Sequence, residues 1–439
     1  DFATVDDTKD DDYNWGYDPY YYNVPEGSYA SDPSDESRII EFKKMVKALH
    51  DNGIGVIMDV VYNHTYFTEQ SSFEKIAPGY FYRFHEHEEK LANGSGVGNE
   101  FATERPMARK FIVDSVRYWT EEYHIDGFRF DLMRLIDKET MDEIENVLHE
   151  IDSSILIYGE PWSALPPQLE HEEQMSKGAQ QGMNIAAFND HFRDAIKGDT
   201  EGHKTGFVNG MNELCNNVQR GVVGGIEYDQ YIHDFTQSPK ESVNYVSAHD
   251  NLSLWDKLFK SNGHEPEHIR IKMDKMAQAI IFTSQGIPFI HGGEEFLRTK
   301  YGHPNSYNAG DHINKLKWGR KTRYHDTFKY YKGLIEMRKN YSLFRMDNAD
   351  EVRKNLKFMN SPYNTIAFRL SSHSEKEIDK KDEFVVLYNP NREYMNFEIP
   401  EAKWGTIVDD RQAGKEPFNI FTKNYVIVPP ISVMVLISQ

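Results

Sequence analysis

Asp126-Gly-Phe-Arg-Phe-Asp-Leu-Met133 is a short alternating run that ends in a carboxylate. Phe128 and Phe130 fall on one face by period-two alternation, and Arg129 and Asp131 fall on the other. The run follows a helix-like segment and reads as a strand. Asp131 stands where that strand gives way to a loop. An Arg two residues before an Asp on one face puts a fixed cation beside a carboxylate and keeps it ionised, as a nucleophile or electrostatic stabiliser needs. Taken alone, the same stretch also suits a structural Arg-Asp pair closing a strand.

Working outward, the same unit recurs. Ile39, Ile40, Phe42, Met45, Val46 and Leu49 repeat at helical spacing, with Ser34 or Asp35 as cap and Gly53 as stop. Ile54-Gly-Val-Ile-Met-Asp-Val-Val-Tyr62 follows, a near-continuous apolar run of the kind buried on both faces of a parallel sheet. A helix over 105–123 leads into the central strand, and a helix over 138–150 leads into Ile155-Leu-Ile-Tyr-Gly-Glu160. Further strands are predicted from Met183 to Phe188, from Ser242 to Ser247, and over Ile287-Pro-Phe-Ile-His291, with helices from Asp190 and over 266–284. Helix followed by strand, repeated, is the pattern of an α/β barrel or a doubly wound sheet. Asp59, Asp131, Glu160, His249 and Asp250 all fall at C-terminal ends of strands. Residues from four or more strands converging on one rim favour the (β/α)8 barrel over a sheet with one switch point.

That accounting finds six strands near 54–60, 125–131, 154–159, 183–188, 242–248 and 286–291, whereas such a barrel has eight. The expectation is a fragment that lacks the first two βα units, with residues 1–344 as the barrel domain and a long polar insertion over about 65–104. From 345 the texture changes to short β-type runs between turn residues, read as a C-terminal antiparallel β-sandwich over 345–439. The fold class expected is therefore α/β, a TIM barrel followed by a sandwich. Ser371 to Asp382 reads as a charged hairpin loop.

The chain of 439 residues is 39% hydrophobic and 13% aromatic, enough for a large core. Its net charge of −20 argues against nucleic acid and anionic membrane surfaces, and does not penalise a neutral partner such as a sugar. One cysteine, Cys215, excludes an intramolecular disulfide framework and a cysteine-based metal site. No run of about eighteen apolar residues is present, so no membrane span is expected. These features do not fix a compartment. Gly94-Ser-Gly-Val-Gly98 lacks the lysine of a phosphate loop. His85-Glu-His87-Glu-Glu reads as a solvated acidic loop rather than a metal site.

Three carboxylates stand out: Asp131, Glu160 and Asp250. Cleaving a glycosidic bond with retention needs a nucleophilic carboxylate and a carboxylic acid about 5–5.5 Å apart. Environment must push their pKa values in opposite directions. Arg129 holds Asp131 ionised, and Pro161 and Trp162 give Glu160 an apolar setting that favours the neutral acid. Singly, Gly-Glu-Pro-Trp could be a turn, and His249-Asp250-Asn251 a helix cap.

Four stretches together are more specific. Asp59-Val-Val-Tyr-Asn-His64, Gly127-Phe-Arg-Phe-Asp131, Tyr158-Gly-Glu-Pro-Trp162 and Val246-Ser-Ala-His-Asp-Asn251 resemble the ordered motifs of the α-amylase superfamily, glycoside hydrolase family 13. Tyr13-Asn-Trp-Gly-Tyr-Asp-Pro19 is similar to the fingerprint of its type I pullulanases. Phe188-Asn-Asp-His-Phe-Arg-Asp-Ala-Ile-Lys-Gly198 and Asn305-Ser-Tyr-Asn-Ala-Gly-Asp-His-Ile-Asn314 point the same way, and the resemblance spans the whole chain.

The resemblance implies Asp131 as nucleophile, Glu160 as general acid/base and Asp250 as transition-state stabiliser. It implies that Arg129 orients Asp131, and that His64 and His249 hydrogen-bond the sugar just before the cleaved bond, with Tyr17 stacked on it. Asp59 becomes a supporting rim residue, Met133 and Trp162 border the leaving-group subsites, and Trp255, Asp311 and Asn314 are weaker substrate contacts. Arg134 and Ala248 depart from the family pattern, where a small residue and a lysine are common, and bear on chain-length preference. The activity implied is retaining endo-hydrolysis of α-1,6-glucosidic linkages in pullulan, amylopectin, glycogen and limit dextrins. An α-1,4-acting amylase or amylopullulanase is the alternative, and a non-catalytic glucan-binding protein ranks below it. The implied partners are a branched α-glucan and an N-terminal portion of the same protein carrying strands one and two with upstream β modules. No organic cofactor is expected, since hydrolysis needs only water and carboxylates. Calcium is common among amylase relatives, and no EF-hand-type loop appears here.

Overall fold

Six short parallel strands carry the barrel part of the chain. In the computed structural model, residues 1–9, 12–85, 89–372 and 383–439 are described. Part of His85-Glu-His87-Glu-Glu and most of the loop from Ser371 to Asp382 lie outside them. The chain divides into two compact units, Asp1–Phe188 with Tyr307–Asp311, and Asn189–Ser306 with His312–Gln439.

The first unit holds β1 (Ile57–Val60), β2 (Gly127–Phe130), β3 (Leu156–Gly159) and β4 (Ile185–Phe188), parallel and in that order. Phe128, Phe130, Ile157 and Ala187 are fully buried, which is why these strands read as continuous apolar runs. Helix Pro106–Tyr123 starts with proline at its first turn and ends at His124 in the left-handed region. It packs Trp119 and Tyr123 against Phe42 of helix Ser37–His50, with ring centres 6.1 and 5.4 Å apart. The cap of that first helix is Glu36, without a side-chain bond, and Asp35 instead accepts from the Ser37 N–H. β1 is the edge strand of its sheet. Ile54, Ile57, Ile40 and Met45 on this side are between 40% and 53% exposed, an apolar surface that a folded chain normally covers.

The second unit opens with β5 (Ser242–Asn244) and β6 (Ile287–Pro288), which pair in parallel. Both are shorter than the sequence suggests: β5 stops well before His249, and β6 keeps only two residues. The rest of the unit is β7 (Leu356–Phe358), β8 (Ile366–Ser371), β9 (Glu383–Asn389), β10 (Met395–Val408), β11 (Asn419–Val428) and β12 (Ser432–Ser438). They form one antiparallel sheet in the order β11-β10-β12-β9-β8-β7. Period-two alternation divides its side chains between two cores. Phe368, Leu370, Phe384, Val386, Tyr388, Val433 and Val435 join one that includes helix Glu267–Thr283, where the Tyr388 hydroxyl lies 2.6 Å from Thr283 Oγ1. Val385, Leu387, Leu436 and Trp404 build the other. A register shift between Glu398 and Ala402 bends β10, as a bulge does.

Helix Glu267–Thr283 also buries Asp274, whose Oδ1 accepts from Tyr331 at 2.6 Å. Its Oδ2 and both side-chain polar atoms of Gln278, one turn along, have no hydrogen-bond partner among the described residues. Burial pushes the Asp274 carboxyl from 3.8 up to about 7. The folded protein therefore holds one more proton than the unfolded chain between these values, and the stability this confers is complete below pH 3.8 and lost as pH rises to about 7. Asp274→Asn should flatten the fall of unfolding free energy across that window, read by urea denaturation at several pH values. An unchanged slope would show that Asp274 ionises without cost.

Candidate active site

Register builds the site in the first unit. Asp59, Arg129 and Tyr158 are aligned across β1, β2 and β3, and Val60, Phe130 and Gly159 one residue on. Asp131 and Glu160 are the next residues on neighbouring strands. Their N–H groups continue the ladder to Val60 O at 3.0 Å and Phe130 O at 3.1 Å. Strand spacing then sets the two residues side by side, about 5 Å apart at the backbone. Gly159 permits this packing: a Cβ there would meet Phe130 O at 2.7 Å and Met133 Sδ at 2.8 Å.

Arg129 is the hub, only 6% exposed. Its Nη1 donates to Asp59 Oδ1 at 2.8 Å and Asp131 Oδ1 at 3.1 Å, and its Nη2 reaches Glu160 Oε1 at 2.6 Å. Burial works against its charge, but Glu160, Asp59, Tyr17 and Asp131 hold its pKa well above the ordinary arginine value. Tyr17 donates from its hydroxyl to Asp59 Oδ2 at 2.5 Å, and its ring centre lies 5.4 Å from the guanidinium. Trp15 N–H donates to Tyr307 O at 2.8 Å, anchoring the aromatic segment that carries Tyr17.

Three placements correct the sequence reading. Glu160 is not in an apolar setting: it is held by Arg129 and by the Leu132 N–H at 3.0 Å, both donors that suit a carboxylate. Met133 is wholly buried and packs beside Gly159, so it supports the turn and offers no surface to a sugar. His64, 3% exposed, has an acceptor against each ring nitrogen, Tyr17 O at 2.9 Å from Nε2 and Asn63 Oδ1 at 2.6 Å from Nδ1, and the single N–H of a neutral ring serves one of them. It fixes the fingerprint loop and presents no open ring nitrogen. Trp162 is half-buried, its ring centre 6.3 Å from that of Phe188. Asp311 is exposed.

The remaining candidates lie in the second unit. Asp250 keeps 52% of its side chain exposed, and His249 Nε2 is 3.8 Å from its Oδ2. Asn251, left-handed at φ 58°, ends this turn. Trp255 is 9% exposed, with its ring centre 6.2 Å from that of Tyr324. Asn314 is buried and clamps its loop, with Oδ1 accepting from Ser306 Oγ at 2.9 Å and Nδ2 donating to Ser306 O at 2.8 Å.

Sequence reasoning overlooked three residues. Asn63 donates from Nδ2 to Asp131 Oδ2 at 3.0 Å and to its backbone O at 2.7 Å, and its place beside His64 in the first motif was the available signal. Leu132 sits at φ 40°, a strained conformation for a branched residue directly after Asp131. Lys300 is buried, donates from Nζ to His249 O, and feels the Asp250 charge. It supplies a cation near that turn, where Ala248 leaves none. Burial lowers its pKa to about 8, with Asp250 opposing.

Among the described residues, the carboxylates close enough to share a metal ion are Asp1, Asp7 and Glu26, beside which Arg38 already lies 3.1 Å from Asp7. In the glycine-rich stretch, the Gly94 N–H donates to Glu100 Oε1 at 2.6 Å, so a carboxylate occupies the role an anion would take.

Residues 93–316 match the family described as "Alpha amylase, catalytic domain", and residues 352–412 match "Pullulanase, all-beta domain". The chain is 41% identical over 404 residues to the pullulanase of Bacillus subtilis strain 168, covering 91% of this chain and 56% of that protein. Among solved structures, the pullulanase from Bacillus acidopullulyticus superposes with a TM-score of 0.95 at 45% identity, covering 100% of this chain and 53% of that one. The Paenibacillus barengoltzii pullulanase in complex with maltohexaose and α-cyclodextrin gives 0.93 at 41% identity, covering 99% of this chain and 67% of that one. The chain thus spans about half the length of the curated relative and of the first of these structures. The fold class is that of these neighbours: strands of a (β/α)8 barrel followed by a β-sandwich.

Proposed function

We propose, for a chain that belongs to the α-amylase family and within it to the type I pullulanases, retaining endo-hydrolysis of α-1,6-glucosidic linkages in pullulan, amylopectin, glycogen and limit dextrins. One observation carries the mechanism: the Arg129 guanidinium joins Asp131 and Glu160 at matched positions of neighbouring strands. Both carboxylates reach one guanidinium, Asp131 Oδ1 at 3.1 Å and Glu160 Oε1 at 2.6 Å, the close pairing on which a retaining mechanism depends.

In this reading Asp131, oriented by hydrogen bonds from Arg129 and Asn63, attacks the anomeric carbon. Glu160 takes up a proton, leaves its donors and delivers that proton to the leaving O6 as the glycosidic bond breaks. A glycosyl ester on Asp131 results. Glu160, now the base, removes a proton from water, whose oxygen bonds to the anomeric carbon as the bond to Asp131 breaks, restoring both groups with the α-configuration kept. General acid help of this kind is worth about 10²–10⁴ in rate. Asp250 serves the distorted sugar through hydroxyl hydrogen bonds, and Tyr17, His249 and Trp162 contact substrate. The α-1,4 reading has no observation in its favour.

The free side of β1, with exposed Ile54 and Ile57, is where a further strand of the intact protein would pair. Slow amide exchange in β1 of a longer protein, against fast exchange in this chain alone, would support that partner. Equal rates would remove it.

Pullulan is the direct test of activity, and maltotriose should accumulate. NMR of the first product should show the α-anomer. An initial β-anomer would rule out retention, and failure to form maltotriose would rule out the specificity.

A further inference from the structure

In the second unit, the turn carrying His249 and Asp250 is tied to the walls of a groove. Asn251 Nδ2 donates to Glu201 Oε1 at 2.7 Å, and Lys300 Nζ donates to His249 O. Between those two segments and helix Leu254–Asn262 lies a cavity of about 590 Å³, within the size range of ligand pockets. Trp255, Phe259 and Tyr301 line it, with His203, Lys260 and Asp256. Phe259 is 60% and Tyr301 58% exposed, so two large rings face water where neither serves the core.

These rings are held in place. The Arg270 guanidinium lies 5.5 Å from the Trp255 ring centre and 5.2 Å from that of Phe259, stiffening both. The Asp256 carboxylate accepts from the Thr299 hydroxyl and from the Lys300 N–H at 2.7 Å, clamping the loop on which Tyr301 stands. Tyr301 adopts φ 55°, a left-handed conformation costly for an aromatic residue, with its N–H on Thr299 Oγ1 at 2.9 Å. His203 Nδ1 donates to Lys260 O at 3.1 Å, so Nε2 is the ring nitrogen that bond leaves for a ligand.

We propose that this groove is an accessory binding site for an α-1,4-linked glucan segment. Aromatic faces suit the apolar C–H faces of pyranose rings. His203 Nε2 and the Lys260 ammonium suit hydroxyl groups, and Asp256 is committed to the loop. Continuity with the Asp250 turn, proposed to meet the sugar and tied to the segments flanking the groove, selects a glucan as occupant. The proposal rests on the glucan-hydrolase reading.

Hydrogen–deuterium exchange with and without maltohexaose tests it. Saturating maltohexaose should protect residues 255–260 and 299–303. In Phe259→Ala/Tyr301→Ala protein, the concentration needed for that protection should rise about ten-fold. His203→Ala, on an exposed loop, should raise it about three-fold. Absence of protection in the unaltered protein, or equal concentrations in all variants, would overturn the groove. Pullulan cleavage is assayed on the same samples: its absence refutes the hydrolase reading, and the exchange data still decide the groove.

Discussion

Asp131→Asn should lower kcat on pullulan by about 10⁴-fold or more, because an amide cannot form the glycosyl ester. The exchange keeps the shape of a side chain that is 13% exposed. It costs one of the two donors aimed at it, Arg129 Nη1 or Asn63 Nδ2, an acceptor oxygen. Some loss of stability is therefore expected, and a thermal melt beside the assay separates it from loss of chemistry. The variant should still bind maltohexaose by calorimetry, since the residues proposed to contact sugar are untouched. Activity within ten-fold of the unaltered protein would remove Asp131 from the nucleophile's role.

The second large effect is expected at Arg129. Methionine there keeps volume and removes the charge shared by Asp59, Asp131 and Glu160. Asp131 and Glu160 have little water access, with side chains 13% and 6% exposed, so two carboxylates would face each other without their cation. Removing one partner of a buried ion pair costs about 3–5 kcal/mol. At roughly 2–4 °C per kcal/mol for a unit of this size, Arg129→Met should lower the melting temperature by about 6 °C or more. Asp59, with a 42% exposed side chain, contributes less because water screens it. Arg129→Lys should recover only part of the loss, since one ammonium cannot fork to carboxylates on two sides. A methionine variant that melts like the parent would show that the carboxylates do not depend on this cation. Activity should fall about 10²-fold or more in both variants, because the pair it positions is mispositioned.

Much of the site was legible in the residues themselves. Asp131 and Glu160 each directly follow a buried strand, so the run of apolar residues before them marked their position on the rim. The helices Pro106–Tyr123 and Glu267–Thr283 were visible through their periodicity and ends. What misled was local context taken as environment. Pro161 and Trp162 adjoin Glu160 in sequence, yet its carboxylate points to Arg129 and the Leu132 N–H. Met133 lies two residues after Asp131, yet its side chain turns inward against Gly159. Strand lengths were overestimated at β5 and β6 because apolar residues continue past the ladder in both places.

The sequence by itself determined which residues alternate, where strands end in carboxylates, and that four motifs of one family occur in order. Those are properties of spacing and residue type along the chain, and they survive without knowing what packs on what. Only the tertiary structure decided the partners: that one guanidinium serves Asp59, Asp131 and Glu160, that Asn63 holds Asp131, and that Lys300 supplies charge beside the Asp250 turn. The physical reason is distance. Apart from the local Arg129–Asp131 pair, which alternation already places on one face, these contacts are remote in sequence: Asp59 is 70 positions from Arg129, and Asn63 is 68 from Asp131. Strand register, not local propensity, brings them within a hydrogen bond.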